Sequence, residues 1–146
     1  MEVTMALLAD AANISREGKL NVLGVFQTMN SSEVPFNYSK FVLVLSLRAS
    51  PGEKGMQKSL IVRLITEDGK PLGDLINAGL GVPADAPELN PELNLMVDVA
   101  GLHIPRFGKY TIEVLVNGEP KKQLELNVLP RAVPQLPQQG PEPPAA

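Results

Sequence analysis

Cysteine and tryptophan are both absent from the chain, and histidine occurs once, at His103. Without cysteine there is no disulfide framework, no thiolate nucleophile and no cysteine-ligated zinc site. One imidazole cannot build a histidine metal cluster within one chain. With two tyrosines and no tryptophan, few rings are available for stacking on sugars or bases. Basic charge is also scarce: the net charge of −3 runs against the positive footprint that nucleic-acid binding requires. No apolar run approaches the roughly 18 residues of a membrane-spanning helix. The opening "MEVTMALLAD" carries an acid where a secretory signal would carry Lys or Arg, so a cytoplasmic location is expected. Neither nucleic acid, membrane nor cofactor is expected as a partner.

Proline and glycine are plentiful instead, 14 and 12 of the 146 residues. Apart from a dense cluster at the C-terminus, they punctuate short alternating segments, the pattern of an all-β domain. In "VTMALLADAANISREGKLNVLGVF", Val3, Met5, Leu7, Ala9 and Ala11 precede a Gly18-containing turn, and Leu20, Val22, Gly24 and Phe26 follow it. The spacing of two predicts a β-hairpin, because a helix would have to cross Asn13, Ser15 and Gly18. Similar stripes run through Phe41–Leu47, Leu60–Leu64, Leu93–Val99, Tyr110–Val116 and Leu124–Val128, with a shorter run at Leu72–Ile76. Asp68-Gly69 and Asn117-Gly118 supply tight-turn signals.

The expectation is an antiparallel β-sandwich of seven to eight strands, immunoglobulin-like or related, over residues 1–129. Gly108-x-Tyr110 at the entry to a late strand fits a tyrosine corner. Residues 130–146 form a proline-rich tail, expected to be disordered and extended. Between Asn77 and Glu92 lies a proline-broken connection of unusual length.

The candidate chemical residues each have a plain structural explanation. Asp10 and Asn13 could hold a cation, but the chain has no D-x-D-x-D cluster, and turn formation accounts for them. His103 has no framed nucleophile such as a G-x-S-x-G elbow, so no catalytic residues are expected. Asp85, Glu88 and Glu92 gather without the aromatic rings that a glycosidase would use. In the tail, Arg131, Pro134 and Pro137 match R-x-x-P-x-x-P, the spacing read by polyproline-binding grooves.

The second faces of the early strands carry the strongest hint. Leu23 and Val25, Val42 and Val44, and Ile61 and Ile65 stand opposite apolar stripes, making a sheet apolar on both sides. Either the monomer covers that face, with its long loop or a curled strand, or the six residues form a protein interface.

The stretch "LLADAANISREGKLNVLGVF" resembles the N-terminus of a group of uncharacterised bacterial proteins, a domain of unknown function. The similarity extends to about residue 129 and excludes the tail. It implies a small bacterial β-sandwich and brings no catalytic residues with it.

The function expected from these residues is non-enzymatic. The chain reads as a structural or adaptor subunit working through a protein partner or self-association, as a homo-oligomer, such as a building block of a phage-like or other repetitive assembly. The alternative is a small-ligand or carbohydrate-binding module, for which only Phe26, Phe36, Tyr38, Phe41, Phe107 and Tyr110 could supply rings. An enzyme would need a hydrolytic site built from His103 and scattered acids.

Overall fold

The alternating stripes fold into nine strands in two packed sheets; the computed structural model describes residues 1–131. In chain order they are β1 (Glu2–Ile14), β2 (Leu20–Phe26), β3 (Thr28–Ser31), β4 (Phe36–Arg48), β5 (Gln57–Ile65), β6 (Pro71–Gly81), β7 (Glu92–Ile104), β8 (Gly108–Val116) and β9 (Glu119–Pro130). The first sheet has the order β2-β1-β4-β7 and the second β3-β9-β8-β5-β6. All neighbours are antiparallel except β3 and β9, which run parallel.

The inward stripes meet as one core. Leu8, Phe41, Leu43, Leu45 and Leu47 of the first sheet pack against Leu60, Val62, Leu64, Ile112, Val114, Leu126 and Val128 of the second. A full side chain of this kind contributes roughly 1.5–3 kcal/mol on leaving water. The hairpin turns follow from local chemistry. In "SREGK" and "TEDGK" the amides of Gly18 and Gly69 bond back to Ser15 and Thr66, with positive φ at both glycines. The hydroxyls of Ser15 and Thr66 then accept the amides of Lys19 and Lys70, at 3.1 and 3.0 Å. Asn117-Gly118 turns β8 into β9 with φ of 51° and 77°.

The tyrosine corner forms. The Tyr110 hydroxyl donates to the Arg106 carbonyl at 2.6 Å and accepts the Arg106 amide at 3.2 Å, tying the β7–β8 connection to the start of β8. Tyr110→Phe should therefore cost about 1–2 kcal/mol and lower the melting temperature by several degrees in a thermal scan. An unchanged melting point would show that the loop holds its place without this bond.

Two features differ from the sequence expectation. Among the described residues there are nine strands rather than seven or eight, because the four-residue β3 is too short to show a period. It is held by parallel pairing to β9 instead. The long connection is also shorter than expected, since β6 continues through Asn77, Ala78 and Gly79 to Gly81. Only residues 82–91 join β6 to β7.

Candidate functional site: the edges and outer face of the first sheet

The β1–β2 hairpin parts from its own sheet, where β4 runs on to Phe36 paired with β7 alone. β1 pairs with β4 only as far as Ala9, while its remaining residues pair with β2 alone. The hairpin therefore projects as a two-stranded arm. Its base is anchored by rings: Phe26 at the end of β2 meets Tyr38 and Phe41, each at 6.0 Å between centroids, and Tyr38 lies 5.8 Å from Phe41.

Asp10 and Asn13, within this arm, do not converge on a ligand. Asn13 accepts a bond from the Asn21 amide group across the hairpin at 2.9 Å. Asp10 occupies the space left by the missing side chain of Gly24, where an added Cβ would come within 2.8 Å of its Cγ. Gly24 has φ +72°, so both the kink in β2 and the seat for Asp10 require glycine. Burial raises the Tyr38 hydroxyl above its ordinary pKa, and the nearby Asp10 charge adds to the shift.

The six apolar residues proposed as one patch are separated by the structure. Leu23 is 72% and Val25 58% exposed, side by side on the outer face of the arm. Val42 and Val44 are only 5% and 0% exposed. Both sit on the central strand β4, where Ala9 and Asp98 flank Val42 and the longer Leu7 and Met96 flank Val44. Both are buried, so neither belongs to an exposed patch. Ile61 and Ile65 belong to the other sheet, on β5, where both are half-buried. Ile61 stands between Asn77 and Leu115, and Ile65 between Pro71 and Thr111. A single contiguous surface through all six residues does not exist. Leu23 and Val25 are what it leaves.

On the opposite flank the sandwich is open. The inward residues Leu93, Leu95, Val97 and Val99 of β7 pack against the core but stay only half-buried. A cavity of about 410 Å³ lies between the edges of β7 and β6, lined by Asp98 to His103 from one and Leu72 to Leu75 from the other. Its charged walls are Asp74 and Asp98, with no Lys or Arg among the lining residues. A second cavity of about 300 Å³ adjoins it near Leu72 and reaches the tyrosine corner.

His103 is exposed on this flank, and its Nδ1 lies 3.0 Å from the Asn37 side-chain oxygen. Asp85 and Glu88 lie exposed in the 82–91 connection, and the Glu92 carboxylate accepts the Thr4 hydroxyl at 3.3 Å. Among the described residues no three His, Asp or Glu side chains are grouped to hold a metal. Of the rings available to a sugar site, Phe41 is fully buried and Tyr110 serves the corner. Arg131 is exposed, and its amide donates to the Ser31 carbonyl at 2.7 Å. Pro134 and Pro137 lie outside the described residues, as does the rest of the tail motif. No helix among the described residues is long and apolar enough to cross a membrane.

Sequence reading missed one charged site. The short 3-10 turn Pro51–Glu53 presents Glu53 inward, where its carboxylate meets the Met1 ammonium at 2.8 Å and Lys58 Nζ at 2.9 Å. Ser50, three residues before Glu53, was the available signal of a capping box.

Two sheets, a β3 strand parallel to the last strand and a tyrosine corner define an immunoglobulin-like β-sandwich. Within that class, the chain belongs to a family of unknown function, DUF6941, whose model matches residues 4–129. No curated protein matches it. Among solved structures it is similar to an alkylpurine DNA glycosylase, AlkC, from Pseudomonas fluorescens, bound to DNA containing an abasic site analog. That match has 16% identity and a TM-score of 0.46, and covers 70% of this chain but only 28% of the glycosylase. It is also similar to an immunoglobulin-like protein from Pseudomonas aeruginosa, with 13% identity, a TM-score of 0.41 and coverage of 83% and 90%.

Proposed function

We propose that the protein is a non-enzymatic, cytoplasmic interaction module, an assembly subunit that works by contact with protein surfaces, including its own. The observation that carries this reading is the projecting arm, with Leu23 and Val25 turned outward from its edge strand. Exposed side chains of this size on adjacent outward positions cost solvation free energy that a partner surface recovers. The arm is also rigid at its base, through the Phe26–Tyr38–Phe41 cluster, so little ordering is required on binding.

Replacing both residues, Leu23→Thr with Val25→Thr, keeps strand propensity and removes the apolar contact. The expected result in light scattering on a sizing column is an assembled wild type and a variant whose dissociation constant is at least tenfold weaker, about 1.4 kcal/mol or more. An unchanged mass at every concentration would remove the arm from the interface.

A further inference from the structure

The turn between β8 and β9 does more than reverse the chain. β8 ends at Val116 opposite Leu60, so Asn117 is the first residue past the ladder to β5. Yet the bonding to β5 runs one rung further. The Asn117 amide donates to the Ser59 carbonyl at 2.9 Å, and the Asn117 side-chain oxygen accepts the Ser59 amide at 2.8 Å. The carboxamide thus completes the exchange of bonds that a backbone carbonyl makes elsewhere in an antiparallel pair.

Asn117-Gly118 is also the one Asn-Gly step in the sequence. The backbone nitrogen of Gly118 can close a succinimide ring by attacking the Asn117 Cγ, and no side chain crowds that nitrogen. It gives up its proton to hydroxide as the new C–N bond forms. The Cγ–Nδ2 bond then breaks, and ammonia leaves with a proton from water. Addition of one water opens either side of the ring. One opening gives aspartate; the other gives isoaspartate, whose main chain runs through Cγ. Both residues are exposed, and the space beside Gly118 is open, so water reaches the turn.

The topology pulls the two reactants in opposite directions. In the second sheet β5 and β9 flank β8 on opposite sides. Ser59 draws the carboxamide towards β5, whereas Gly118 leads the chain across to β9, where Glu119 pairs with Val116. The next rung inward, Leu60 with Val116, is buried on both strands and holds the turn from behind. We infer that Asn117 is a self-modification site gated by the Ser59 rung. While the rung is closed the residue stays asparagine; each opening frees the carboxamide to meet the Gly118 nitrogen. Isoaspartate is a one-way change, because its extra main-chain methylene lengthens a tight turn and its carbonyl has left the side chain that met Ser59. The modification therefore records how often this end of the second sheet has opened.

The test compares native protein, protein unfolded in guanidinium chloride, and the variant Ser59→Pro, all incubated in mildly alkaline buffer. Ser59→Pro removes the amide that Asn117 accepts. Because Ser59 directs both its backbone groups to Asn117, the ladder to β6 keeps its bonds. Peptide mass mapping follows aspartate and isoaspartate at position 117. Native protein should react at least about tenfold more slowly than the unfolded chain, the factor given by about 1.4 kcal/mol of closed rung. Folded Ser59→Pro should fall between them. Equal rates in native and unfolded protein overturn the proposal, as does a folded Ser59→Pro no faster than wild type or an unfolded chain that stays unmodified. Should circular dichroism show Ser59→Pro unfolded, hydrogen exchange on wild type decides. Exchange of the Ser59 amide and modification of Asn117 should then accelerate together as denaturant rises below the unfolding transition. Modification that does not follow Ser59 exchange removes the gate.

Discussion

Phe41→Ala should lower the unfolding free energy by about 3–5 kcal/mol, the range for removing a fully buried ring. The ring has no solvent exposure and meets both Phe26 and Tyr38 edge-on, at interplanar angles of 86° and 68°. Each such pair adds about 0.5–1.5 kcal/mol beyond area burial. The loss has a second consequence, because Phe26 ends β2 and Phe41 sits on β4. With the ring gone, Phe26 keeps Tyr38 but loses its neighbour in the core, and the projecting arm is anchored by less. Urea denaturation should show the drop, and hydrogen exchange should show faster opening in β2 than in β8. Phe41→Leu, which retains much of the volume, should cost less than half as much. A loss below about 1 kcal/mol for the alanine variant would mean that the site collapses around the gap, and the arm is held elsewhere.

The arm was readable in advance because both of its strands alternate and Gly18 marks the turn between them. The same period failed at β6, where Gly73, Ala78, Gly79 and Gly81 leave too few side chains to alternate. It failed differently at β4. A run that is apolar at every position says that both faces are dry without saying what dries them. The residues that stand beside Val44 in the sheet, Leu7 and Met96, come from strands distant in sequence. The division of Ile61 and Ile65 from Leu23 and Val25 is likewise topological: β4 and β5 are consecutive in the chain but enter different sheets. Asp10 shows a subtler limit. A carboxylate beside an Asn invites a ligand reading, yet its place is set by the empty side of Gly24, fourteen residues along the chain.

The stability of the opposite end depends on Glu53, and Glu53→Gln should cost about 2–4 kcal/mol at pH 7. Its side chain is only 12% exposed and receives the Met1 ammonium, Lys58 and the Ser50 amide, the last at 2.8 Å. Glutamine keeps the shape and one acceptor oxygen but leaves two cations facing a neutral group. The Lys58 bond foremost, then those from Met1 and Ser50, hold the Glu53 carboxyl far below the ordinary carboxylate range, against a smaller opposing effect of burial. A depressed folded-state pKa fixes the sign of the pH dependence. The stabilisation is complete above the unfolded-state value, about 4.3, and drains away as pH falls below it, because the unfolded chain takes up the proton first. Other carboxylates titrate in the same window, so the informative quantity is the difference between wild type and Glu53→Gln in denaturant melts. That difference should be constant from about pH 7 to about pH 6 and narrow steadily from about pH 5 towards about pH 3. A gap independent of pH down to pH 3 would assign the loss to packing of the 3-10 turn instead of to the charge on Glu53.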